Sequence, residues 1–279
     1  MKLYTIEAGR FKLDGGAMFG VVPKSLWQPL YPSDENNMCS WAMRCLLVEE
    51  GNRLTLIDTG MGSKQSDKFF SYYFLHGEDS LDSSLQRAGF HRNDITDVFL
   101  THLHFDHCGG AVEWNTKRDG YRPAFDKARY WSNERHWNWA VQPNAREKAS
   151  FLKENILPLQ ESGQLEFVNE STKPMDFEIE YVFGHTEAMM LPLITYRGRK
   201  ILYMADLCPS TVHLPIPWVM AYDTRPLETL QEKERIFKRC VEEEWVLYFE
   251  HDKDTVCATL QMTEKGIRLK ETFALNELG

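Results

Sequence analysis

Apolar positions along the chain fall mostly in short β-type runs separated by polar turns. The pattern predicts strands near 2–7, 18–22, 42–49 and 53–58, a helix around 79–88 and a strand at 96–101. The stretch 127–163, "KARYWSNERHWNWAVQPNAREKASFLKENILPLQESG", carries apolar residues at helical spacing between charged turns and reads as a helical insertion. Strands resume near 165–168, 176–182, 193–197 and 200–204, then a helix over 226–240 and strands near 245–249, 255–262 and 267–271. Strands and helices alternate without a strict βαβ beat, which points to an α/β fold of the α+β type with mixed sheets. No Pro/Gly/Ser-rich linker interrupts the chain, so one domain over 1–279 is expected.

The chemistry gathers where the apolar runs stop. In "DVFLTHLHFDHCGG" (97–110), three of the nine histidines fall within six positions. "DVFLT" is a buried-strand sequence, so His102 lies at its end. In extended chain, residues two apart face the same way, which lets His102 and His104 reach one point. Asp106 and His107 follow as the chain turns, and Gly109-Gly110 is expected to permit that turn. Four such groups against a buried strand would repel one another or lose solvation without a cation. Imidazole and carboxylate together suit zinc or another divalent first-row metal.

One cluster does not complete a coordination sphere. His185 in "YVFGHTEAMM", Asp206 in "ILYMADLC" and His251 in "WVLYFEHDKD" each follow an apolar run, as His102 does. "NRLTLIDTGMG" (52–62) and "RKILYMADLC" (199–208) echo each other, both ending an apolar run on an aspartate. Ligand-type residues at four strand ends describe a site assembled along one sheet edge. His76, His91 and His136 occur in helix-like or turn contexts and lack this grammar.

Composition removes several function classes. With 41 acidic against 32 basic residues the chain has a formal charge of -9, which disfavours nucleic acid and anionic membranes as partners. The amino-terminal stretch holds Glu7, Arg10, Lys12 and Asp14 where a signal peptide needs an apolar run, and no transmembrane-length apolar segment occurs. The six cysteines are scattered, without C-x-x-C pairs, as expected of buried thiols in a reducing compartment. A soluble, cytoplasmic protein is expected.

With these residues laid out, the chain resembles the metallo-β-lactamase superfamily of hydrolases, closest to its single-domain, lactonase-like branch. The motif His102-x-His104-x-Asp106-His107 carries the resemblance, with "LIDTG" (56–60), "GHT" (184–186), Asp206 and His251 in support. The resemblance implies an αββα four-layer sandwich of two mixed sheets flanked by helices. It further implies two divalent metal ions, zinc first, with manganese or iron as alternatives. By family pattern His102, His104 and His185 hold one ion, Asp106, His107 and His251 the other, and Asp206 bridges them. Asp58 would lie beneath the ligands and orient a histidine. "EAMM" replaces the second Gly-His that often follows "GHT" in the family, which puts the geometry of that loop in question. Cys208 stands two positions from Asp206 and reads as structural.

The implied activity is hydrolysis of a small lactone, ester or amide by a bridging hydroxide, with Asp106 also acting as the catalytic proton carrier. "LDGGAMFGVVPKSLW" (13–27) reads as a hairpin with glycine at its tip, and "PSTVHLPIPWVMAYD" (209–223) follows Asp206 directly. Phe19, Trp27, His213, Trp218, Met220 and Tyr222 are the candidate substrate contacts, each weighed against simple core packing. The partner is a small-molecule substrate, and the tryptophan-rich 131–141 is either a lid, a homodimer face or a packed helix. Two rivals share the scaffold: a phosphodiesterase, disfavoured by the local lack of basic residues, and an iron-dependent persulfide dioxygenase-like oxidoreductase.

Overall fold

A computed structural model describes residues 1–169, 172 and 174–278. Two compact units are formed, unit 1 from Met1–Gly9 and Met43–Asp176, and unit 2 from Arg10–Ala42 and Phe177–Gly279. Among the described residues no helix is long and apolar enough to cross a membrane.

The first six-stranded sheet has the spatial order Lys2–Asp14, Met38–Glu50, Arg53–Ile57, Asp97–Phe99, Arg129–Ser132 and Leu165–Phe167. Met38–Glu50 and Arg53–Ile57 pair antiparallel, and the strands beyond them run parallel. The parallel strands are only three to five residues long, and Asp97–Phe99 is buried throughout. Leu56, Val98, Leu100, Tyr130, Trp137 and Leu159 join one apolar core in unit 1. The segment expected to be helical from 127 opens instead on the strand Arg129–Ser132, and helices follow at Glu134–Val141 and Lys153–Glu161. Tyr130, Trp131 and Ser132 of "RYWS" are buried and Trp131 Nε1 donates to Asp97 Oδ1 at 2.8 Å, so sheet pairing overrides the helical spacing. Helix starts only where Asn133 caps it, its side chain accepting from the His136 amide.

The second sheet has the order Gly266–Phe273, Cys257–Thr263, Val246–Tyr248, Arg199–Tyr203, Met189–Tyr196 and Glu178–Val182. Its central pair, Arg199–Tyr203 with Val246–Tyr248, is parallel and its outer pairs antiparallel. The helix Pro226–Glu242 begins on a proline and buries Thr229, Glu232, Lys233, Ile236, Phe237 and Cys240, a stripe at three- and four-residue spacing. The strand expected at 18–22 and the hairpin at 13–27 are absent. Short helices, Gly15–Phe19 and Lys24–Trp27, occupy the segment. The Asp14 carboxylate accepts from the Ala17 amide at 2.9 Å and starts a helical turn where a strand would have continued. Phe19 then stacks on Trp27 with centroids 4.9 Å apart.

Candidate metal centre

His102, His185, Asp206 and His251 each stand three residues beyond the end of a strand, respectively Asp97–Phe99, Glu178–Val182, Arg199–Tyr203 and Val246–Tyr248. Four strands thus deliver a ligand-type side chain at the same offset.

In unit 1, Asp58 organises the loop. Its carboxylate accepts from the Thr101 amide and hydroxyl, both at 2.8 Å, and faces His107 Nδ1 at 3.3 Å. Asp58 itself has φ +58°, a left-handed turn immediately after the strand Arg53–Ile57. Thr101 Oγ1 lies 3.1 Å from His102 Nδ1, and because it donates to Asp58 it is free to accept from that imidazole. The amide of Leu103, between the two histidines, donates to Nε2 of the buried His136 at 2.8 Å. The glycines of this loop act differently from expectation. Gly109 has φ −60°, well inside ordinary helical space. A Cβ there would lie 2.2 Å from the Met61 carbonyl, and at Gly110 2.3 Å from that of Thr59. They permit close backbone approach, not a turn.

The donors converge. His102 Nε2 and His104 Nδ1 are 3.0 Å apart, and His107 Nε2 is 3.8 Å from Asp106 Oδ2. On the far side of His104, Nε2 faces Glu147 Oε1 at 3.4 Å. All five residues are buried.

In unit 2, His185 lies between two carboxylates, with Nε2 3.0 Å from Asp206 Oδ2 and Nδ1 2.9 Å from Asp223 Oδ1. His251 Nε2 is 3.1 Å from Asp206 Oδ1, and its Nδ1 donates to the Ala42 carbonyl at 2.8 Å. Ala205, one residue before Asp206, is held at φ +39°, a strained conformation for a residue with a Cβ. Burial alone would push the His185 imidazolium down, but Asp206 and Asp223 outweigh it and raise its pKa to about 10.

Hydrogen bonding also fixes which nitrogen is available. His107, His185 and His251 each spend Nδ1 on a carboxylate or carbonyl, and His102 spends Nδ1 on Thr101, so each turns Nε2 toward the ligand-type residues of its own unit. His104 is reversed, with Nδ1 toward His102 and Nε2 toward Glu147. His102 and His104 thus bring two imidazole nitrogens to within 3.0 Å, and Asp206 adds a carboxylate beside the Nε2 atoms of His185 and His251. Ligand atoms of His102 with His104, of Asp106 with His107, and of His185 with Asp206 lie within 4.8 Å of each other. The donor set fits a divalent first-row ion.

The expected substrate contacts lie in unit 2. Phe19 stacks on the His213 ring at 4.7 Å and meets Trp218 edge-on at 6.0 Å. Phe19, Trp27, His213 and Met220 are buried, Trp218 is half-buried and Tyr222 exposed. Both His213 nitrogens serve the fold, one with Ser210 Oγ and the other donating to the Met18 carbonyl. Burial pushes its pKa down to about 3, so the ring is neutral near pH 7. Sequence reading missed Asp223, Glu147 and His136, which lie far in sequence from what they hold. It also missed an aromatic ledge beside the Asp106 loop. There Phe105 packs on Phe69 at 5.4 Å and Tyr73 at 4.7 Å. The run "FFSYYFL" (69–75) was a visible signal.

With this geometry in place, the comparisons with known proteins are decisive about family. The sequence pattern of the metallo-beta-lactamase superfamily matches residues 44–238. The chain belongs to the metallo-beta-lactamase superfamily. Membership accounts for the two mixed sheets with helices. An N-acyl homoserine lactonase from Bacillus cereus is 30% identical over 158 residues, 53% of this chain and 58% of that protein. One from Bacillus thuringiensis is 33% identical over 119 residues, 39% and 43% respectively. This metallo-beta-lactamase superfamily chain therefore spans about half the length of the curated relatives it matches. A probable metal-dependent hydrolase from Staphylococcus aureus superposes with TM-score 0.88 at 27% identity, covering 100% of this chain and 98% of that one. A dizinc quorum-quenching lactonase solved with its product superposes with TM-score 0.77 at 23% identity, covering 98% and 95%, a likeness that speaks for the fold alone.

Proposed function

We propose that this chain is a dinuclear metal-dependent hydrolase that opens a small acyl-bearing lactone, N-acyl homoserine lactones being the class to try first. His102, His104 and His185 would hold one divalent ion, Asp106, His107 and His251 the other, with Asp206 shared. Zinc is the expected metal. The observation that carries this reading is the hydrogen-bond network that engages Nδ1 of His102, His107, His185 and His251 and turns Nε2 toward the neighbouring ligand-type residues. The lactonase relatives and the dizinc lactonase of the same fold support it.

When bound, such an ion pair lowers the pKa of water toward neutrality and polarises a carbonyl oxygen. The chain's own residues would do the rest. Asp106 would take the proton that the attacking water loses and return it to the alkoxide released when the lactone C–O bond breaks, leaving a hydroxy acid. Asp58, Asp223 and Glu147 would keep the imidazoles oriented through that transfer. Phe69, Tyr73 and Phe105 offer an apolar surface for an acyl chain. Burial, with the Asp106 carboxylate adding to it, raises the Tyr73 phenol to about 12, so it stays protonated and can donate to a substrate oxygen.

The test is metal analysis beside a substrate panel of N-acyl homoserine lactones, simple lactones, aryl esters and phosphodiesters. Metal-dependent lactone opening, abolished by chelation and by His104→Ala, is expected. Turnover of phosphodiesters without lactones, or one iron per chain without zinc, would overturn it.

A further inference from the structure

The buried stripe of the helix Pro226–Glu242 contains two adjacent charges, Glu232 and Lys233. Lys233 is fully buried and Glu232 nearly so. Desolvating an ammonium and a carboxylate is costly unless each meets a matching set of partners. Both do, and the partners are backbone.

The Glu232 carboxylate accepts from the amides of Phe183 at 2.5 Å and Gly184 at 3.1 Å, the two residues before His185. The Lys233 ammonium donates into a ring of four carbonyls: His213 at 2.6 Å, Trp218 at 2.9 Å, Pro215 at 3.0 Å and Ile216 at 3.3 Å. That ring lies midway along the loop whose two ends both grip His185, Asp206 at Nε2 and Asp223 at Nδ1. The circuit closes at the helix start, where Thr224 and Arg225 amides donate to the carbonyls of His185 and Gly184. The helix therefore touches both partners of one contact. Its carboxylate matches the amides of the loop bearing His185, and its ammonium matches the carbonyls of the loop bearing Asp206 and Asp223.

We propose that Glu232 and Lys233 act as a paired template that sets His185 against Asp206 and Asp223, and so are positioning residues for the metal centre. The inference rests on the metal-site reading above. Neither residue reaches a reacting atom. The charges work through backbone because only a fixed, buried charge orders several amides or carbonyls at once.

Zinc affinity is measured by competition with a chromophoric chelator, and ligand geometry by the visible spectrum of the cobalt(II) form, for wild type, Glu232→Gln and Lys233→Met. Melting temperature is recorded without metal. Loss of affinity of about 10- to 100-fold is expected for Lys233→Met, as for other partners that orient ligands, with a shifted cobalt band. A smaller loss is expected for Glu232→Gln, which keeps one acceptor. Folded variants that melt lower yet bind zinc as wild type does, with an unchanged cobalt spectrum, would overturn the template and leave the metal site standing. Wild type that binds no zinc would overturn the metal-site reading itself. Should Lys233→Met fail to fold, lysine-labelled wild type decides. Its slowly exchanging Lys233 ammonium resonance should shift as zinc is added, and an unmoved resonance would overturn the proposal.

Discussion

The two sets of ligand-type residues are held in place by different means. In unit 1 they are contiguous, four residues within six positions, and backbone geometry places them. Gly109 and Gly110 press on the Met61 and Thr59 carbonyls, Thr59 donates back to His107, and Asp58 ties the loop at Thr101. In unit 2 the three residues are dispersed over 67 positions and side chains hold them, with Asp223 on His185 and buried charges fixing the connecting loops. A local motif is built by sterics and is tolerant of distant change. A dispersed one depends on partners that no local pattern reveals.

The largest expected effect is at Asp206, the residue proposed to be shared by both ions. Asp206→Ala should lower lactone hydrolysis by more than the roughly 100-fold typical of losing an outer partner, and should reduce bound metal, both read from kinetics beside metal analysis. His104→Ala should do the same from the other unit. Next comes Asp223→Ala, expected to cost about 10- to 100-fold in zinc affinity, since it removes the carboxylate that orients His185. If Asp223→Ala were silent while Asp58→Ala was not, the contrast between the two loops would fail.

How far this was legible follows from the same contrast. The strand-end placement of the candidate ligands could be read because burial and β-pairing put an apolar run before each, and His102, His185, Asp206 and His251 sit at one offset from their strands. Most strand positions followed from the same signal. The segment 13–27 misled because its alternation is local, whereas the Asp14 cap and the Phe19–Trp27 stack that decide it are set by side-chain geometry. Residues 129–132 misled in the opposite sense, their helical spacing yielding to parallel pairing with Asp97–Phe99. Asp223, Glu147 and the Glu232–Lys233 pair were invisible, because a buried charge is legible only once its partners are known.

Smaller effects sharpen the picture. Gly109→Ala and Gly184→Ala place a Cβ 2.2 Å from the Met61 carbonyl and from Thr229 Oγ1 respectively. Each should lower stability by about 1–3 kcal/mol in urea unfolding. The second meets a movable hydroxyl as well as backbone, so the first should cost more. The smallest change concerns acid. His213 has its pKa lowered to about 3 in the fold, against an ordinary value of 6.5. Above pH 6.5 the ring is neutral in both states and its contribution is fully present. As pH falls from 6.5 toward 3, the unfolded chain takes a proton that the folded chain refuses, and stability is lost. His213→Gln should therefore lose less stability than wild type between pH 7 and pH 5, by on the order of 2 kcal/mol in urea midpoints converted to free energy. Equal losses would mean that His213 is not held neutral.

The central proposal is that His102, His104, Asp106, His107, His185, Asp206 and His251 hold a pair of divalent ions. Metal stoichiometry tests it most directly, measured for wild type, for His104→Ala and for His185→Ala, each loaded with zinc and freed of excess. Two ions per chain in wild type, with fewer in both variants, is the predicted result. Two ions retained when His185 is replaced, or none in wild type, would contradict it.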